Sequence, residues 1–157
     1  MNEYFMRVAL LQALKSYKLE EVPVGCVITK DNKIISTSYN LRESTNDPLG
    51  HAELIAIQKA SHVLGSWRLT GCSMYVTLEP CLMCTGAIID SRIERLYIGA
   101  TDPKRGAIES VIPIITERLM PHHIDEIEYM DTISGYILSR FFKNLRYKKS
   151  LKVDKNL

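Results

Sequence analysis

Apolar residues recur at helical spacing from residue 4 to residue 17. Tyr4, Val8, Leu11 and Leu14 share a stripe, with Phe5 and Ala9 beside it. The chain therefore opens on an amphipathic helix that packs against something larger. Glu20-Glu21-Val22-Pro23 stops it. Val24–Thr29 and Ile34–Tyr39 then read as strands joined by an Asp31-Asn32 turn, a β-hairpin. The polar stretch from Asn40 to Gly50 reads as a loop. A second helix covers His51–Leu64, where Ala52, Ile55, Ala56 and Lys59 follow a 3.6-residue period, and Gly65-Ser66 ends it. Ser73–Leu78 is a strand. Pro80 opens a helix over Cys81–Ser91, at a position where its missing N–H would be unpaired in any case. Arg95–Ala100 is a strand and Thr101–Gly106 a polar loop. Val111–Ile115 is apolar and fits helix or strand, Asp125–Tyr129 is a short strand, and Thr132–Lys148 is the last helix, with Ile133, Tyr136, Ile137 and Phe141 on one side. Strands alternating with helices predict an α/β domain, its hairpin antiparallel and its later strands parallel.

A length of 157 residues suits one domain and can bury a core without disulfide staples. Residues 1–148 are expected to form that domain and 149–157 a basic tail. With 46% apolar and 24% charged residues, the chain is not collagenous, coiled-coil or wholly disordered. No apolar run approaches the roughly 18 residues of a membrane span. The opening MNEYFMRVALLQALKSYK reads as a folded helix and not as a leader. The net charge of +2 says little about partners, but its distribution says more. Arg140 to Leu157 carries seven cations against the single anion Asp154, a charge of +6 that leaves −4 on residues 1–139. A basic end on a mildly acidic body fits a polyanion partner, although a solvated terminus has the same composition. Lys143, Arg146, Lys148 and Lys149 are the cations expected at phosphates, and Phe142 the ring expected to stack on a base. The four cysteines include a Cys-x-x-Cys pair, which points to a reducing, cytoplasmic setting and to metal or redox chemistry.

The pair is Cys81 and Cys84, preceded by Pro80, and His51-Ala52-Glu53 lies upstream. One His and two Cys suit zinc, and three protein ligands leave its fourth position open, as in catalytic sites. A redox pair would not need an upstream His-x-Glu. His51 and Cys81 both fall at helix starts, where the helix dipole favours a thiolate. Glu53 is two residues from His51 and on a regular helix would not share its face, so it is expected to be a proton carrier and not a ligand. Cys26 and Cys72 read as small buried residues.

These residues resemble the zinc-dependent nucleoside deaminases, whose signature is His-x-Glu followed by Pro-Cys-x-x-Cys. A wider match is similar to the bacterial tRNA-specific adenosine deaminases. It includes Val22-Pro23-Val24-Gly25, Asn40, Asp47-Pro48, Thr77 to Cys84, Gly86-Ala87-Ile88, Ser91-Arg92-Ile93, Gly99-Ala100, Asp102-x-Lys104-x-Gly106-Ala107 and Phe141-Phe142. The match spans about residues 4–148. Gly50 and Cys26 stand where that family commonly has Ala, and residues 121–131 run about one residue short of its pattern.

The resemblance implies a three-layer α/β/α fold with a five-stranded mixed sheet, one zinc per subunit, and a homodimer. It implies hydrolytic conversion of adenosine to inosine at the first anticodon position of a tRNA. It also implies that Asn40 contacts the target base, and that the Asp102–Lys104 loop and the Phe142 helix touch the anticodon stem-loop, with Arg146 among the cations beside it. The nearest alternative is a free guanine or cytidine deaminase using the same zinc site. A non-catalytic RNA-binding zinc protein is a further one, but it leaves Glu53 without a purpose.

Overall fold

The computed structural model describes residues 1–114, 122–130 and 133–154. Nine elements follow one another: α1 (Asn2–Lys18), β1 (Gly25–Lys30), β2 (Lys33–Tyr39), α2 (Ala52–Leu64), β3 (Cys72–Val76), α3 (Leu82–Asp90), β4 (Arg95–Ile98), β5 (Glu126–Tyr129) and α4 (Ser134–Asp154). The strands form one mixed sheet in the order β2-β1-β3-β4-β5. β1 runs antiparallel to both β2 and β3, while β3, β4 and β5 are parallel. The α/β class and the pairing directions are those expected from the pattern. Asp31 and Asn32 turn the hairpin with φ of 49° and 58°, the left-handed pair that two-residue hairpin loops use.

Alternation along the strands makes the layers. Val27, Tyr75 and Tyr97 face one side, where Phe5, Met6 and Ala9 of α1 cover them. Tyr75 and Tyr97 stack there with centroids 4.6 Å apart. Their neighbours Cys26, Ile28, Met74, Val76, Leu96 and Ile98 face the other side, against Ala52, Ala56 and Ala60 of α2 and Ile88 and Ile89 of α3. Phe141 of α4 meets Tyr17 of α1 edge-on, so α4 packs beside α1. Gly65 ends α2 in the left-handed conformation, as its place after the periodic run predicts.

Several apolar faces differ from the expectation. α1 buries Phe5, Met6, Ala9, Gln12, Ala13 and Ser16 and leaves Tyr4, Leu11 and Leu14 exposed. The reason is close approach: small residues let the helix backbone touch β1, and a Cβ on Gly25 would lie 2.0 Å from the Ala9 carbonyl oxygen. Gly25→Ala should therefore cost roughly 1–3 kcal/mol or more of stability, since neither backbone can retreat. Urea unfolding beside Gly86→Ala, where a Cβ meets nothing, checks this. In α2, Lys59 is exposed and Ala60 takes the buried place. In α4, Ile137 and Phe141 are buried but Tyr136 is exposed, as is Ile133 just before the helix. α4 also runs to Asp154, beyond the end expected at Lys148, so the helix itself carries the first part of the basic segment. Val111–Pro113 form neither helix nor strand, because the Val111 and Ile112 amides turn back to the Gly106 carbonyl. Ile115, Thr132 and residues 155–157, which the sequence assigned to elements or tail, lie outside the described residues.

Candidate active site

The chemistry gathers where β3 ends and α2 and α3 begin, beside the carboxyl ends of the parallel strands. His51 is the N-cap of α2 and Cys81 the N-cap of α3, both in extended backbone. Neither side chain caps its own helix. Cys81 thus stands just ahead of the first turn, where the sequence had placed it within the turn. Cys84 follows in that turn, fully buried. The donor atoms of His51, Cys81 and Cys84 all lie within 4.8 Å of one another.

Their geometry fits a metal ion. Zinc bonds of about 2.3 Å to sulfur and 2.0 Å to nitrogen make a tetrahedral S···N edge of about 3.5 Å. The His51 Nδ1 to Sγ distances are 3.7 Å to Cys81 and 3.4 Å to Cys84. The protonation pattern agrees. A hydrogen bond from Cys84 pulls the Cys81 thiol down to about 3, with His51 adding to the pull. The same bond and burial push Cys84 up. His51 is raised by its hydrogen bond to Cys81, against the opposing effect of burial. Three donors that hold one another's protons this closely are donors a divalent cation takes by displacing those protons. Cys26 and Cys72 are buried and belong to no ligand group among the described residues.

A cavity of about 440 Å³ opens over this centre, within the usual range for small-molecule sites. His51, Glu53, Cys81 and Asn40 line it, with Asp102 and Lys104 on one rim and Leu138 and Phe142 on another. Glu53 is 4% exposed, in the first turn of α2. Because His51 is a cap and not a helical residue, the two share the cavity despite their i, i+2 spacing. Burial raises the Glu53 carboxyl above its ordinary value of 4.5. Asn40 is buried, and its Nδ2 donates to Glu21 Oε2 at 3.2 Å and to the Val22 carbonyl at 3.3 Å. Arg146 is exposed, one turn beyond Phe142, and is not on the cavity wall.

Sequence reasoning passed over three residues. Arg42 and Arg105 also line the cavity. Glu21, fully buried, fixes the Asn40 amide and accepts the Ser44 N–H at 2.5 Å. A carboxylate directly before Val-Pro was the available signal. A fourth residue, Glu79, was visible as part of a motif but without a role. Burial alone would raise its carboxyl, yet the backbone N–H of Glu109, the Ser110 hydroxyl and the N–H of Asp102 outweigh that and hold it at about 2. Two buried carboxyls thus flank the ligands with opposite tendencies, Glu53 raised and Glu79 lowered.

A profile of the cytidine and deoxycytidylate deaminase zinc-binding region matches residues 1–100. The tRNA-specific adenosine deaminase of Aquifex aeolicus is 43% identical over 145 residues, 92% of this chain and 96% of its own. That of Bacillus subtilis is 39% identical, covering 94% and 92%. A solved structure from work on A-to-I editing by tRNA:A34 deaminases at the wobble position of transfer RNA superimposes with a TM-score of 0.77 at 42% identity, over 80% of this chain and 97% of that one. Guanine deaminase from Bacillus subtilis superimposes with a TM-score of 0.62 at 32% identity, over 92% and 93%. With the zinc-binding profile, the near full-length identity and the ligand geometry in agreement, the chain belongs to the tRNA-specific adenosine deaminases of the cytidine and deoxycytidylate deaminase zinc-binding family.

Proposed function

We propose that the protein converts adenosine to inosine by hydrolysis at the first anticodon position of tRNA, as a cytoplasmic homodimer whose catalytic domain takes in residues 1–148. The observation that carries this reading is the 43% identity over nearly the full length of both chains to a tRNA-specific adenosine deaminase. His51, Cys81 and Cys84 would hold zinc. Zinc held by three protein ligands supplies a nucleophile at neutral pH by acidifying water. The chain's own residues do the rest. Glu53, desolvated and raised in proton affinity, takes a proton from the water and passes it to N1 of adenine, then carries the water's second proton to the departing amino group. Asn40 has its amide nitrogen engaged by Glu21 and Val22, so the group it offers a base is its oxygen. The site takes a base only when it is turned out of its stack, which suits a loop nucleotide.

Apolar Leu82 and Met83, at the start of α3, and Val111 and Ile112 are exposed on either side of the Cys81–Gly106 bridge, which supports a second copy packing beside the site. Sedimentation showing only monomer at micromolar concentration removes the dimer. Among the described residues no helix is long and apolar enough to cross a membrane.

A second reading, free guanine deamination, has the Bacillus subtilis guanine deaminase likeness in its favour. Incubation with an adenosine-bearing anticodon stem-loop and, separately, with guanine, cytidine and adenosine separates them. Inosine in the RNA is expected, and ammonia from guanine alone would overturn the reading.

α4 supports the RNA contact with a refinement. Gly135, Leu138 and Phe142 form its cavity-side stripe, and Arg146 and Lys149 continue that stripe at helical spacing. Lys148 instead reaches Glu20, just beyond the end of α1. Arg146→Ala with Lys149→Ala should weaken stem-loop binding and flatten its salt dependence by about 0.7 for each phosphate no longer neutralised, whereas Lys148→Ala leaves the slope unchanged. Phe142→Ala should cost roughly 1–3 kcal/mol of binding if the ring stacks on a base. Titrations of RNA binding against salt measure all three.

A further inference from the structure

Glu79 stands between β3 and Pro80 and is 2% exposed. Its carboxylate accepts five hydrogen bonds from one loop. Oε1 takes the N–H groups of Ile108, Glu109 and Ser110 at 3.1, 2.8 and 3.0 Å. Oε2 takes the Asp102 N–H at 2.9 Å and the Ser110 hydroxyl. A carboxylate offers about four lone-pair sites, so this one has none left for a metal, a base or a proton in transit. Glu79 does not act on the reacting atoms.

The loop it binds has no helix or strand of its own to shape it. It closes tightly over the carboxylate: a Cβ on Gly106 would lie 2.4 Å from Glu79 Oε2. The Ala107 N–H reaches the Pro80 carbonyl at 2.9 Å, and Gly106 bridges Cys81. At its near end, Asp102 Oδ1 accepts the N–H groups of Lys104 and Arg105 at 2.9 and 3.2 Å. Asp102, Lys104 and Arg105 are the cavity rim. One buried anion thus gathers amides from both ends of residues 102–110, and those amides decide where the rim's charges stand.

We propose that Glu79 is a positioning residue: its carboxylate is the template on which residues 102–110 fold, and it thereby sets the rim of Asp102, Lys104 and Arg105 that receives the polynucleotide. This rests on the reading that the rim meets RNA, and it assigns Glu79 to substrate affinity and not to the chemical step.

The test uses the zinc-loaded protein and three variants. Glu79→Gln keeps the shape but turns an amide group towards N–H donors. Gly106→Ala crowds the same carboxylate from the loop side. Ser110→Ala removes a single donor and serves if Glu79→Gln does not fold. The first readout needs no RNA: trypsin cleavage after Lys104 or Arg105, identified by peptide mass, should be roughly tenfold faster in Glu79→Gln and Gly106→Ala, as expected for loss of about one charge-assisted hydrogen bond. The second is steady-state kinetics on an anticodon stem-loop, where KM should rise by a similar factor while kcat and zinc content stay near the parent's. Unchanged cleavage in folded variants overturns the template role, and a fall in kcat at constant KM, or loss of zinc, overturns the assignment to affinity. If the parent itself does not turn over the stem-loop, the RNA reading fails, and the cleavage readout still decides whether Glu79 shapes the loop.

Discussion

Glu53→Gln should abolish turnover while zinc content and RNA affinity stay at the parent's level. The side chain is 4% exposed, and α2 places it on the same cavity wall as His51 and Cys81. Burial raises its proton affinity, so the carboxyl can take a proton and return it near neutral pH. The amide has nearly the same shape and cannot do either. A positioned proton carrier contributes on the order of 10²–10⁴ in rate, and the loss should fall in kcat because the ground-state interactions of Asn40 and the rim survive. Glu53→Ala should give the same loss. Single-turnover measurement on a stem-loop, beside metal analysis and a binding titration, makes the comparison. A Glu53→Gln protein within about threefold of the parent overturns the role.

Glu79 sharpens this argument because it is also a buried carboxyl, two residues from a ligand. Its five donors hold it ionised, whereas Glu53 sits where burial favours the protonated form. Burial alone does not make a proton carrier: at Glu53 it outweighs the hydrogen bonds from the residue's own N–H and from Cys84, whereas at Glu79 the five donors together outweigh it.

What the sequence made legible follows from the range of each signal. His51, Cys81 and Cys84 stand on two short motifs, and their chemistry restricts what they can hold, so the ligand group could be read before any fold was known. The strands were legible because short apolar runs bounded by turn residues are a local signal. The buried face of α1 was not: Leu11 and Leu14 fit the apolar stripe, but the face that packs is decided by Gly25, 16 and 12 residues away from Ala9 and Ala13 in the helix it touches. Lys148 looked like its neighbours, and only the arrival of Glu20 beside α4 separates it from Arg146 and Lys149. Glu79 and its donors lie 23 to 31 residues apart, so no local pattern announces their meeting. The Glu21–Asn40 bond is equally long-range, 19 residues.

His51→Ala combined with Cys84→Ala should yield protein without zinc and without activity, where the parent carries close to one zinc per chain. Two of three donors are then gone, and Cys81 alone cannot hold an ion against solvent. The parent should also lose stability when its metal is removed by a chelator. Zinc bound to the folded state alone, at a free concentration of about 100–1,000 times its Kd, stabilises by roughly 3–4 kcal/mol. For a chain of this size each kcal/mol moves the melting temperature by about 2–4 °C, so a fall of about 10 °C is expected. The helices bearing the ligands bury Ala52, Ala56, Ile88 and Ile89 in the core independently of the ion, so the chelated protein should remain folded and regain activity when zinc is restored. Metal analysis with thermal melts before and after chelation reads both effects. Stoichiometric zinc retained by the double variant, or a melting temperature that chelation leaves unmoved in a protein shown to have lost its zinc, would contradict the assignment of His51, Cys81 and Cys84 as the ligands that tie the two helix starts together.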